Sequence, residues 1–169
     1  VVAKTPRAYR ELTAQFAERT VSKTYHAVVL GHPPAVGRVD APIGRSPLRR
    51  TRMAVVERGR PAVTEWSVLE RFGRSAAWLR VALLTGRTHQ ARVHLAHAGH
   101  AIVGDVTYRA SSTAAEPRTR AVLARFPRPA LHAFRIGFTH PATRAWLEVE
   151  APLPEDMRAL MDELRGVPS

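Results

Sequence analysis

Four of the eight histidines, His89, His94, His97 and His100, fall within twelve positions. Imidazoles bind metals, and His94 and His97 would share a helix face, since residues three apart are neighbours there. A metal site needs further ligands. The chain has no cysteine, no HExxH arrangement, and no acid nearer than Asp105. Histidines interleaved with arginine in a basic chain more often bond backbone or phosphate, so no metal is expected. Carboxylates are scarce as well. The aspartates are Asp40, Asp105, Asp156 and Asp162. Asp156 suits the first turn of a helix, Asp162 a solvated position, and Asp40 an extended segment. Asp105 follows Gly104 and is expected to accept from the amides of a turn. No GxSxG elbow and no glycine spacing of a phosphate cradle is present. Two positions then stand out. Arg87 lies where a strand gives way to a helix, a place where rigid elements hold a side chain from both sides. Tyr25 is either a core aromatic or a stacking platform for an unpaired base.

The elements that must hold these residues can be read in order. Val1 to Ala3 reads as the end of a strand. Thr5 and Pro6 open a helix to about Arg19, with Tyr9, Leu12 and Phe16 on one face. Ser22 to Leu30 is a strand with Tyr25, Ala27 and Val29 on one side. Val39 to Ile43 is a short extended piece, Ser46 to Arg52 a basic loop, and Met53 to Val56 a weak strand. A turn leads to a well-alternating strand, Ala62 to Arg71, which should form a hairpin with the strand containing Trp78 to Leu84. Thr85-Gly86 breaks that strand. Thr88 is expected to cap a helix to about Ala98, stopped by the left-handed Gly99. Ala110 to Arg120 reads as a surface loop. Ala130 to Phe138 and Ala145 to Ala151 should form a second hairpin, and Pro154 opens the last helix. Strands outnumber helices, so the class is α+β with a largely antiparallel or mixed sheet. One domain, residues 1–169, is expected.

Composition narrows the partners. The chain has 26 Lys+Arg against 14 Asp+Glu, a net charge of +12, and only Lys4 and Lys23 are lysines. Base-composition bias can replace lysine with arginine, but it does not create an excess over acids. Such a field favours a polyanion, most often nucleic acid. No apolar run approaches the roughly 20 residues of a membrane span, so no membrane partner is expected. The absence of cysteine fits a cytoplasmic setting. The N-terminus lacks the pattern of a signal peptide and lacks Met. It opens inside what reads as a strand, so a fragment is expected.

The segment TGRTHQARVHLAHAGHAIVGDVTYR closely resembles the pattern TGR(T/S)HQxRVHxxxxGHP(I/L)xGDxxY of the RluA-type pseudouridine synthases. SKTYHAVVLGHP is similar to that family's KxYxAxVxG. GRPAVTEWSVLERF and PALHAFRIGFTHPATRAWLEVEAPLPEDM are similar too, so the likeness runs through nearly the whole chain. Ala101 stands where the family has Pro. The family's nucleophilic Asp lies in an HRLDxxTSG segment, and no Asp of this chain occupies that motif.

The resemblance implies an α+β pseudouridine synthase catalytic-domain fold, a mixed, largely antiparallel sheet flanked by helices, here incomplete at its N-terminus. It implies an enzyme that isomerises uridines in structured RNA (rRNA or tRNA), with no cofactor and no metal. A monomer is expected. Tyr25 would stack on the flipped base. Arg87 would pair with the nucleophilic Asp and keep it ionised. Leu95, with Val93 as the neighbouring alternative, would line the base pocket. Lys23, His89, Gln90 and Arg92 would contact RNA or shape the site, and Arg45 to Arg52 would add phosphate attraction. Without its Asp the chain alone would be inactive. The alternative is a non-catalytic RNA-binding module. A histidine-metal hydrolase is a weaker third reading.

Overall fold

The computed structural model describes residues 1–108 and 117–167. At its centre runs β1 (Ser22–Leu30), bonded on one side to β6 (Ala76–Leu83) and on the other to β7 (Leu131–Thr139). Outside these lie β5 (Val63–Phe72), β2 (Val36–Asp40) and β8 (Trp146–Glu150), giving the order β2-β5-β6-β1-β7-β8. Every pairing in this sheet is antiparallel. β3 (Ile43–Arg45) and β4 (Met53–Val55) form a separate two-stranded ribbon. Both expected hairpins, β5–β6 and β7–β8, are present.

Burial explains the placement of β1. Ala27, Val28 and Val29 are consecutive and fully buried, so both sheet faces are covered there. One cover is α4 (Glu155–Arg165). Its Met157, Leu160, Met161 and Leu164 recur at helical spacing and join the main core. Another is α2 (Gln90–His97), which sends Ala91 and Leu95 into the same core.

The structure corrects several expectations. Val1 to Ala3 form no strand. In α1 (Pro6–Glu18), Thr5 accepts the Ala8 amide at 3.2 Å as expected, and Pro6 opens the helix. Its buried face, however, carries Leu12 and Gln15, while Tyr9 and Phe16 are largely exposed. The cause is polar anchoring. The Gln15 amide donates to the Thr139 carbonyl and accepts from the Thr139 amide, both at 2.8 Å. An apolar-periodicity argument misses a helix docked this way. A fourth helix, α3 (Pro117–Arg125), stands where the end of the expected loop was placed; positions 110–116 of that loop lie outside the described residues. Its apolar signal is one adjacent pair, Val122 and Leu123, too brief for a periodic pattern.

Candidate active site

The strand-to-helix junction after β6 is organised by one side-chain amide. Thr85 and Gln90 are both 2% exposed. The Gln90 carbonyl oxygen accepts from the Thr85 hydroxyl at 2.6 Å and from the Arg87 amide at 3.1 Å. Its nitrogen donates to the Val63 carbonyl at 2.8 Å and to the Thr64 hydroxyl at 3.1 Å. All the hydrogen-bonding capacity of the amide is used, and the Thr85-Gly86-Arg87 loop is stapled to β5. Gln90 therefore holds the loop that carries Arg87 in place from inside.

This arrangement displaces the expected cap. His89, not Thr88, occupies the N-cap position of α2, in a left-handed conformation with φ of 57° and no side-chain cap bond. The turn starts the helix one residue later and leaves Thr88 exposed. The His89 ring instead meets the Tyr108 hydroxyl at 2.9 Å. At the other end Gly99, with φ of 84°, stops the helix as expected.

His94 is fully buried. One ring nitrogen lies 2.9 Å from the Ala41 carbonyl, and the other 2.9 Å from the Thr64 hydroxyl. The carbonyl can only accept, so that nitrogen donates, and the other accepts from Thr64. This chain, Gln90 to Thr64 to His94 to Ala41, holds a neutral imidazole. Burial lowers its pKa, consistent with that state. His97 is exposed. Among the described residues no His, Asp or Glu cluster suited to a metal is formed.

Arg92 grips Asp105 through two bonds of 2.6 and 2.8 Å, with the Asp105 side chain wholly inaccessible. Asp105 also accepts the amides of Thr107 and Tyr108, at 2.9 and 3.1 Å, the turn role expected of it. Burial alone would raise its carboxyl pKa. The Arg92 bonds and the two amides outweigh that and hold it below the usual range. The Arg92 guanidinium lies over the Tyr108 ring, 4.9 Å from its centre. The preceding loop is tight enough that a side chain at Gly104 would strike the Arg128 carbonyl. Of the two apolar candidates, Leu95 is fully buried in the main core and Val93 packs with Ile43 and Ala62. Neither is among the residues lining the two cavities beside Arg87.

Arg87 is different. Its Nε donates to the Pro61 carbonyl at 3.1 Å, and among the described residues it has no carboxylate partner. It lines a cavity of about 490 Å³ with Phe16, Arg19, Lys23 and Arg60. A second cavity, of about 530 Å³, shares Arg19 and Lys23 and extends to Leu84. Burial, then the charges of Arg60 and Arg19, lower the Arg87 pKa, although a guanidinium stays charged at any ordinary pH. Burial likewise lowers the pKa of Lys23. Tyr25 lies two residues further along β1, half-buried between Val81 and Ala133, and burial raises its phenol pKa. It is not a wall of the Arg87 cavity. None of the four aspartates faces Arg87. Asp40 pairs with Arg38, Asp105 with Arg92, Asp156 with Arg128, and Asp162 with Arg165. Arg19, Arg60 and Phe16 escape a reading of the sequence as parts of this site, because they come from a helix end and a turn distant in the chain.

The sequence profile of RNA pseudouridylate synthases matches residues 1–97, more than half of the chain. The chain belongs to this family. Among curated relatives, a ribosomal large subunit pseudouridine synthase D of Nitrosomonas europaea is 49% identical over 168 residues, covering 99% of this chain and 48% of that protein. A namesake from Pseudomonas aeruginosa is 46% identical, covering 98% and 52%. The chain thus spans about half the length of these relatives. Among solved structures, human RNA pseudouridylate synthase domain containing 1 superposes with a TM-score of 0.73 at 29% identity, covering 99% of this chain and 75% of that one. The human domain containing 4 gives 0.76 at 27% identity, covering 95% and 69%. The α+β antiparallel architecture is therefore that of pseudouridylate synthase domains. Among the described residues no helix is long and apolar enough to cross a membrane.

Proposed function

We propose that this chain is the catalytic-domain portion of an RNA pseudouridine synthase that isomerises specific uridines of structured RNA, ribosomal RNA before tRNA. Its relatives named for the ribosomal large subunit support the first target. The observation that carries the reading is Arg87: a guanidinium on a loop fixed by a saturated scaffold, turned to a cationic cavity, and without a carboxylate among the described residues.

The reaction breaks the bond from ribose C1′ to uracil N1, turns the base, and joins C1′ to C5; a proton leaves C5 and N1 takes one up. Atoms balance without an oxidant or a cofactor. It needs a carboxylate as nucleophile or base. We place that carboxylate, the family's Asp, outside these residues, because no segment here matches HRLDxxTSG and each aspartate is engaged elsewhere. Arg87 would pair with it, keeping it ionised and oriented. Tyr25 would stack on the extruded base, and Lys23 would add positive charge beside it. The 169 residues alone are then expected to bind RNA without turnover. The product of the whole gene would work in the cytoplasm as a monomer.

The test is to map pseudouridines in cellular RNA with the gene present, deleted, and restored as Arg87→Ala. Deletion should remove at least one modification, and the variant should not restore it. Restoration by the variant would remove Arg87 from the chemistry. An unchanged map after deletion would leave the RNA-binding module as the better reading. Tyr25→Phe should severely slow turnover; full activity would reduce Tyr25 to a packing residue.

A further inference from the structure

A chain with 26 cations and 14 acids must leave some cations unpaired. What needs explaining is that three of them, with a lysine, converge. Arg19, Lys23, Arg60 and Arg87 line one cavity, and among the described residues none has an acidic partner. Scattered surface charges repel weakly because water and salt screen them. Cations gathered around one concavity repel more, and an anion placed there is attracted by all of them.

We propose that Arg19 and Arg60 are positioning residues that grip the RNA phosphodiester beside the nucleotide served by Arg87. The proposal rests on the RNA-modifying reading above and names the substrate group this part of the site takes. One carboxylate beside Arg87 would offset a single positive charge. Arg19, Arg60 and Lys23 would remain, an excess suited to a backbone phosphate and not to the neutral base.

Local structure aims both side chains. Arg60 exchanges two backbone bonds with Ile43, donating at 2.8 Å and accepting at 2.9 Å. The next residue, Pro61, accepts from the Arg87 Nε. The backbone behind Arg60 is therefore fixed to β3, and its neighbour is tied to Arg87. Arg19 ends α1 in a left-handed conformation, φ 62°, where glycine or asparagine is the ordinary choice. Its amide closes the helix on the Gln15 carbonyl, so its backbone position is set by the same residue that docks α1 on β7. Phe16, 47% exposed, forms part of the same wall. An aromatic beside guanidinium groups offers stacking to a neighbouring base while they hold the backbone.

The test uses the full gene product and transcribed large-subunit ribosomal RNA, with affinity measured across a range of KCl concentrations. Arg19→Asn removes the charge with a residue that tolerates the left-handed backbone, and Arg60→Gln removes the other. Each should weaken binding and flatten the plot of log affinity against log salt by about one unit of slope per lost phosphate contact. Arg19→Lys and Arg60→Lys should keep the slope, because a phosphate accepts a point charge. In turnover the loss should fall on the half-saturating RNA concentration more than on the rate at saturation. Unchanged affinity and slope in both neutral variants would overturn the proposal. So would lysine variants as impaired as the neutral ones, which would indicate packing. Inorganic phosphate at constant ionic strength should compete no better than chloride; strong competition with an unchanged RNA slope would assign the cradle to a free anion and also overturn it. The pseudouridine yield of the unaltered protein reports on the catalytic reading separately. No yield together with flattened slopes would sink that reading and leave the phosphate grip standing.

Discussion

Arg87 and Arg92 leave the same segment of chain, five positions apart, and end in opposite surroundings. Arg92 makes a bidentate pair with a wholly inaccessible Asp105, whose oxygens also take two amides. Arg87 is carried on a loop stapled by Gln90, yet among the described residues only its Nε finds a partner, a carbonyl. The carboxylate that meets the first is answered wholly from within the fold, and among the described residues the second meets no carboxylate. In a structure, rigidity alone does not separate a scaffold residue from a working one. The separation comes from what the rigid element leaves unsatisfied and where it points.

The largest effect that could break this contrast is on the scaffold side. Asp105→Ala would strand a mostly buried guanidinium and two amides, and should cost about 3–5 kcal/mol in denaturant unfolding. A loss below about 1 kcal/mol would show that the pair is not structural. On the other side, Arg87→Ala should lower stability by only about 1 kcal/mol, one bond to a carbonyl. In the full gene product its turnover should fall by about a hundredfold or more, the scale seen when a preorganised charge partner of the reacting groups is removed. A variant that unfolded as readily as Asp105→Ala would erase the distinction between the two arginines.

How much of this was legible in the sequence follows from the same distinction. The hairpins, α4 and β1 are written in local apolar spacing. The junction at Arg87 is marked by Thr85-Gly86, and Asp105 as a turn acceptor by its place after Gly104. α1's buried face was misread because Gln15 docks it through backbone bonds, which leave no hydrophobic signature. The pairing of Arg92 with Asp105 and the convergence of Arg19, Arg60 and Arg87 are tertiary facts. They join positions separated by part of a helix and a turn, or by two or more strands, and spacing along the chain cannot encode them. The burial of Leu95 and Val93 belongs with these, since helix periodicity names an inner face without saying whether a core or a cavity lies beyond it.

Two buried histidines sharpen the contrast at smaller scale. His94 has both nitrogens satisfied. His26, 7% exposed, stacks on Phe134 at 4.2 Å and meets the edge of Trp78 at 5.2 Å, and among the described residues its Nδ1 has no partner. Burial first, then the charges of Arg80, His132 and Arg135, lower its pKa from 6.5 to about 4. The sign is fixed by where the proton binds. Below pH 6.5 the unfolded chain takes up a proton that the folded one refuses until about pH 4. Stability from this group is complete above 6.5 and is lost as the pH falls between those values, by roughly 2–3 kcal/mol. Unfolding midpoints of the parent should decline through that window, and His26→Leu should flatten the decline. An equal slope in the variant would move the cause to another group.

The smallest effect compares Thr5 and Thr88, which the sequence marks alike as helix caps. Thr5 accepts the Ala8 amide, and its replacement by alanine should cost about 1 kcal/mol. Thr88 is exposed, and the helix it precedes is capped by His89 without a side-chain bond. Thr88→Ala should therefore change stability by less than about 0.5 kcal/mol. The pair isolates the physical point, because residue type and predicted role are the same and only the answered hydrogen bond differs. Equal losses at both positions would mean that the Thr88 hydroxyl does bind the first turn of α2 in solution. The left-handed start at His89 would then be one of two states of the junction that carries Arg87.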